Sequence, residues 1–164
     1  HVDLSRVENA QKRPVLVLST YPGKPWQMAH AVGLDALASA EAILSDLQTR
    51  EYDVVPDGPL HKDLQNQRIK WPLSAYKTAL KDLPECLQTE LFQAWGDPET
   101  DPQARNGALE FAATRRGKAL IALQPERGSL QAREAEYHDT SRTPRHSYVA
   151  FYLWLRTVEA ASAL

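Results

Sequence analysis

Cysteine is almost missing from this 164-residue chain: Cys86 stands alone, so no disulfide can close within it. That excludes a disulfide-stapled scaffold and suits a reducing compartment. Long apolar runs are missing as well. The longest, Val149-Ala150-Phe151-Tyr152-Leu153-Trp154-Leu155, falls far short of the ~20 residues a membrane helix needs. Residues 1–13 are charged and contain no apolar signal core. Neither charge sign is in excess, with 19 Lys and Arg against 21 Asp and Glu, so a polyanion is not the expected partner. The chain opens on His1 instead of Met, which leads us to expect a missing or processed start. These absences point to a cytoplasmic protein with no membrane and no nucleic-acid role.

A hydrophobic fraction of 43% is enough for a real core, and the length suits one domain. Val15-Leu16-Val17-Leu18 reads as a strand buried on both faces. A polar loop over residues 19–33 follows, broken by Pro22-Gly23 and Pro25. A helix is expected over residues 36–50 with Asp35 as its cap, because Ala40, Ile43, Leu44 and Leu47 share one stripe. Tyr52-Asp53-Val54-Val55 reads as the next strand, which completes a Rossmann-like βαβ start over residues 13–56.

Residues 60–96 are helix-prone, with interruptions expected at Trp71-Pro72 and Leu83-Pro84 and a stop at Gly96. Residues 96–107 form a loop holding an Asn-Gly pair. Two strands over residues 108–113 and 118–123 are separated by Arg116-Gly117 as by a hairpin turn. An irregular stretch over residues 124–145 leads to a final helix over residues 147–163. On that helix Tyr148, Phe151, Tyr152 and Leu155 share a face. The expected fold is therefore α/β: a mixed sheet flanked by helices, residues 1–164 forming a single fragment of a larger multidomain subunit.

The generic catalytic signatures are lacking: no G-x-G-x-x-G, no phosphate-binding G-x-x-x-x-G-K-[ST], no H-E-x-x-H and no G-x-S-x-G. Cys86 falls in an amphipathic helix and reads as a packing residue. Two loops carry what chemistry there is. The first follows the opening strand, at the sheet edge where open α/β folds bind ligands. There Gly23 permits close approach, Lys24 brings a charge and His30 a titratable ring. A well-capped structural loop accounts for the same residues. The second loop offers Gln124, Arg127 beside Gly128, then Tyr137-His138-Asp139 and His146. Arg127 has the geometry to clasp a carboxylate. His138 and His146 could ligate a metal, shuttle protons or simply form a hydrogen-bonded structural pair. Trp71, Trp95, Trp154, Tyr148 and Tyr152 could stack on a flat macrocycle, though at helical spacing such residues more often form core.

Residues 15–24 together with Ala31-Val32-Gly33-Leu34-Asp35 and Ser39 resemble the S-x-Y-P-G-K…A-V-G-L-D-x-x-x-S signature of CobN-type cobaltochelatase subunits. Gln124-Pro125, Arg127-Gly128, Tyr137-His138-Asp139, His146 and the run 148–155 are similar to that family's Q-P-x-R-G…Y-H-D…P-P-H-x-Y-x-A-F-Y-x-W-L. The stretch 91–98 resembles a family segment with a W-G-x-P core. Departures are His30 where the pattern has Asn, the insert Pro25-Trp26-Gln27-Met28, and Thr143-Pro144-Arg145-His146 in place of Pro-Pro-His.

The resemblance implies an internal piece of the large subunit, with a further His-rich segment of the H-G-x-H-G type beyond Leu164. It implies ATP-dependent insertion of Co2+ into a corrin ring, hydrogenobyrinate diamide, for cobalamin biosynthesis. The implied partners are an AAA-type ATPase subunit that hydrolyses the ATP and a second small chelatase subunit. No cofactor is expected in this piece, and no turnover from it alone; Co2+ is a substrate. On this basis His138 and His146 are the candidate catalytic residues, while Tyr21, Lys24, His30, Gln124, Arg127 and Tyr137 are candidates for binding the macrocycle. Two alternatives accompany that reading: a non-catalytic docking scaffold, or a relative acting on another pair such as magnesium and protoporphyrin.

Overall fold

The computed structural model describes residues 6–19, 30–31, 34–55, 58–128 and 142–159, with the backbone alone at 30, 31 and 34. The fold is mixed α/β, as expected. The chain divides into two compact units interleaved in sequence. Residues 1–69, 112–123 and 159–164 make the first, and residues 70–111 and 124–158 the second.

The first unit is built on a mixed three-stranded sheet. Strand β1 (Val15–Leu18) is followed by the two-residue strands β2 (His30–Ala31) and β3 (Leu34–Asp35), which pair antiparallel with each other. Helix α1 (Ala36–Thr49) begins where the sequence indicated. The Asp35 carboxylate accepts from the N–H groups of Leu37 and Ala38 at 3.1 and 3.0 Å, satisfying two of the donors a helix start leaves unpaired. Ala40 and Leu44 are buried, but Ile43 is 44% exposed, so the apolar stripe is narrower than expected.

Residues 52–55 do not form a strand. Glu51 adopts a positive φ of 63°, and Val54 N–H turns back to the Tyr52 carbonyl at 2.8 Å. This tight turn leaves no ladder-forming backbone, although the Val54 side chain is buried. The parallel partner of β1 lies much further along the chain.

That partner is β8 (Ala119–Leu123), reached in sequence after helix α2 (Leu60–Asn66), strand β4 (Ile69–Pro72), helices α3 (Leu73–Leu80) and α4 (Glu85–Trp95), and strands β5 (Ala104–Arg105), β6 (Ala108–Phe111) and β7 (Ala113–Arg116). In the first unit β8 lies between β1 and β7, parallel to the former and antiparallel to the latter. Buried along four of its five residues, β8 is the central strand. β1 is an edge strand with only Val15 buried, which corrects the expectation of burial on both faces. Ala40, Leu44, Val54, Leu60, Leu64, Ala119 and Ile121 form the core, with Leu16, Leu18 and Tyr52 packed around it. The β7–β8 turn is Gly117-Lys118. Gly117 has φ 61°, a conformation that suits the first centre of a two-residue hairpin. Arg116 meets Asp63 in a half-buried ion pair at 2.5 Å.

The second unit contains α3, α4, all of β4 but its first residue, β5, β6 and the last helix, α5 (His146–Thr157). Its sheet runs β4-β6-β5, so the stretch around Trp71, expected only to interrupt a helix, is a strand. β5 and β6 are joined by Asn106-Gly107, both at positive φ (50° and 74°). That is the conformation a type I′ turn requires, and Asn-Gly is its favoured pair.

Against β6 lies α5: Phe111 stacks on Trp154 at 5.1 Å and meets Phe151 edge-on at 5.5 Å. The buried face of α5 is Ser147, Ala150, Phe151, Trp154 and Leu155, whereas Tyr148 and Tyr152 are only half-buried. The face is thus rotated from the expected one. Trp71 and Trp154 are 5% and 1% exposed, which makes them core residues with no free face for a ligand.

Candidate functional site

The register of β1 on β8 pairs Leu18 with Leu123. The C-terminal ends of two adjacent parallel strands therefore share one edge of the sheet. Each of the two loops singled out by sequence begins immediately after one of those ends. This is the edge at which α/β sheets place their ligands.

In the second unit, the start of α5 is held by a buried polar network. His146, 1% exposed, places Nδ1 at 2.8 Å from the Tyr76 hydroxyl and Nε2 at 2.9 Å from the Gly96 carbonyl oxygen. A carbonyl can only accept, so Nε2 carries the hydrogen and Nδ1 accepts from Tyr76. Phe92 and Tyr76 meet the imidazole edge-on at 5.4 and 5.8 Å.

Arg145 supplies no side-chain cap to α5. Instead the Asp101 carboxylate, from another part of the unit, accepts the Ser147 N–H at 2.9 Å and the Gln103 N–H at 2.9 Å. Burial, and secondarily the Asp101 charge, push the Tyr76 phenol well above its ordinary value.

The sign of the resulting pH dependence is fixed. Below pH 10 the phenol is protonated in both folded and unfolded chains, and the full stabilisation is present. Above it the unfolded chain releases the proton while the folded chain keeps it. Stability should then fall with rising pH by about 1.4 kcal/mol per unit, until the folded phenol itself titrates. Urea melts at pH 9, 10 and 11 should show this decline, and Tyr76→Phe should lack it.

Next to this network, residues 124–128 and 142–145 are fastened together. The Arg145 N–H donates to the Arg127 carbonyl at 2.8 Å, and Arg145 Nε to the Gly128 carbonyl at 2.8 Å. Arg127 Nη2 donates to the Arg142 carbonyl at 3.3 Å. Trp95 Nε1 donates to the Thr143 carbonyl at 2.9 Å, and the Arg145 guanidinium lies over its ring at 4.5 Å. The Gln124 amide donates to the hydroxyls of Tyr148 and Tyr152 at 3.1 and 2.6 Å. Two aromatic candidates from the sequence are thereby tied to a polar one.

The structure thus gathers Gln124, Arg127 and His146 in one unit. Tyr21, Lys24, Tyr137 and His138 lie outside the described residues, as does the side chain of His30, whose backbone belongs to β2. His146, expected to accept a proton or touch a metal, is buried with both ring nitrogens engaged by Tyr76 and Gly96, an arrangement that favours a positioning role. Its place is at the root of α5. Among the described residues no group of three or more His, Cys, Asp and Glu side chains could hold a metal ion. Nor is any helix among them long and apolar enough to cross a membrane. Sequence reasoning missed Tyr76, Asp101 and the role of Arg145. Their partners lie 70, 46 and 17 residues away respectively, and no local spacing rule reaches that far.

Comparison with known proteins defines the class. Residues 1–164 match the CobN/Magnesium Chelatase family, and the chain belongs to it. It is 34% identical to the aerobic cobaltochelatase subunit CobN of Pseudomonas aeruginosa over 99% of its length, and 30% identical to the protein of that name from a Sinorhizobium species. It spans 14% of the length of each of these relatives. A solved structure, the catalytic subunit of cobaltochelatase from Mycobacterium tuberculosis, superimposes with a TM-score of 0.73 at 30% identity. That match covers 94% of this chain and 14% of the other.

Proposed function

We propose that this chain is part of a large chelatase subunit that inserts Co2+ into a corrin ring, hydrogenobyrinate diamide, in cobalamin biosynthesis. The observation that supports the reading best is the Leu18–Leu123 register. It starts both motif-bearing loops from one edge of a sheet in a chain of the CobN/Magnesium Chelatase family. In this reading an AAA-type ATPase subunit and a second small subunit are the partners, with ATP hydrolysed by the former.

Insertion requires the macrocycle to be held, the hydrated metal stripped of water, and two pyrrolic protons accepted. Lys24 and Arg127 pair with acidic side groups of the ring. Tyr21, His30, Gln124 and Tyr137 complete the contacts. His138 accepts a proton or meets the incoming metal, having the basicity for either task. His146 serves indirectly, by holding the start of α5 and with it the tyrosines bonded to Gln124.

The test is His138→Ala in the full-length subunit, assayed with its partner subunits and ATP. Co2+ and Mg2+ should each be tried against corrin and porphyrin. The expected outcome is loss of cobalt insertion by about a hundredfold or more, the usual contribution of a positioned acid–base group, with corrinoid binding retained by absorbance. Unchanged insertion would remove His138 from the mechanism, and a preference for Mg2+ and porphyrin would reassign the substrate.

A further inference from the structure

Arg145 is held at several points although no acidic side chain among the described residues pairs with it. Its Nε is committed to the Gly128 carbonyl, and its guanidinium face rests on Trp95. The Trp95 ring is itself fixed through Nε1 to the Thr143 carbonyl. The Arg145 backbone N–H is committed to the Arg127 carbonyl. The terminal nitrogens Nη1 and Nη2 make no hydrogen bond to any described residue, and no Asp or Glu among the described residues forms an ion pair with the group.

We propose that the terminal guanidinium nitrogens of Arg145 are a binding site for the carboxylate of a small-molecule ligand. The chemistry follows from the geometry. Of the five donors of an arginine, the Nε–H is occupied, while the Nη1/Nη2 edge, with no acceptor among the described residues, matches a two-pronged acceptor such as a carboxylate. Stacking on Trp95 fixes the plane of the fork before any ligand arrives, which lowers the entropy lost on binding. On the chelatase reading, on which this last step rests, the carboxylate is an acidic side group of the macrocycle, and Arg145 helps decide which side-group pattern is accepted.

The test titrates the wild-type chain, Arg145→Gln and Arg145→Lys with coproporphyrin and with its tetramethyl ester, following absorbance. A parallel titration with glutarate follows the Arg145 N–H resonances by NMR. Wild type should prefer the acid to the ester. Arg145→Gln should weaken acid binding by about tenfold or more, the scale of a charge-assisted hydrogen-bonded pair, and leave ester binding unchanged. Arg145→Lys should restore only part of the loss, since an ammonium has no fork.

Equal acid binding by wild type and Arg145→Gln would overturn the inference while leaving the macrocycle reading intact. Equal weakening of acid and ester would overturn it too, making Arg145 a structural clamp. If neither porphyrin binds but glutarate moves the Arg145 resonances, the carboxylate site stands and the macrocycle reading falls. Unmoved resonances in that case would sink both.

Discussion

Gly117→Ala is expected to destabilise the protein by roughly 3 kcal/mol. About 1–2 of this comes from forcing a residue with a Cβ to positive φ, and the rest from overpacking, which typically costs 1–3. At φ 61° an added Cβ would press onto the Asp53 carbonyl, with the carbonyl carbon at 3.0 Å and Val54 Cα at 3.2 Å. These are backbone atoms and cannot swing aside. The position is fixed further by the Lys118 N–H, which donates to that same Asp53 carbonyl at 2.7 Å. The natural control is Gly107→Ala. Gly107 has φ 74°, but its added Cβ would meet nothing within 4 Å, so only the conformational part should appear. Equal losses in urea denaturation for the two variants would show that the close approach to Asp53 carries no energy.

His146→Ala should cost about 3–5 kcal/mol, at the upper end for a single substitution, because it combines a buried cavity with two abandoned hydrogen-bond partners. The Tyr76 hydroxyl and the Gly96 carbonyl would both lose their mate. Tyr76→Phe removes one end of the same bond and should cost about 1–3 kcal/mol. The double substitution should cost less than the sum, by roughly 0.5–3 kcal/mol, since the two residues share that bond. Thermal or urea unfolding of the four proteins measures the coupling directly. A His146 variant that kept full stability but lost metal insertion in the full-length subunit would return this residue to proton transfer.

The contrast between α1 and residues 52–55 shows where local reading works. Helix α1 was legible because its determinants are neighbours in sequence: Asp35 caps it, and Ala40 and Leu44 recur at helical spacing. The turns at Asn106-Gly107 and Gly117 were legible for the same reason, since positive φ is written into residue type. Tyr52-Asp53-Val54-Val55 has the composition of a strand, yet a strand needs a neighbour. The position beside β1 is taken by β8, about a hundred residues further on. Likewise, on α5 the sequence supplied more apolar residues than one face requires, and Phe111 decided which of them is covered.

The candidate site follows the same division. That the sequence carries two loops of family type, with Gln124, Arg127, His138 and His146 among their residues, was fixed by the order of the amino acids alone. So were the α/β class, the start of α1 at Asp35 and the stop of α4 at Gly96, because capping, turn formation and periodic burial act over a few residues; the last helix, expected to reach residue 163, ends at Thr157. The interleaving of two units, the shared edge at Leu18 and Leu123, the burial of His146 between Tyr76 and Gly96, and the stacking of Arg145 on Trp95 were decided by tertiary structure. Each depends on hydrogen bonds and ring contacts between residues distant in sequence. Such bonds exist only once the chain has closed on itself and excluded water, and the residue types that form them carry no local mark of which partner they will meet.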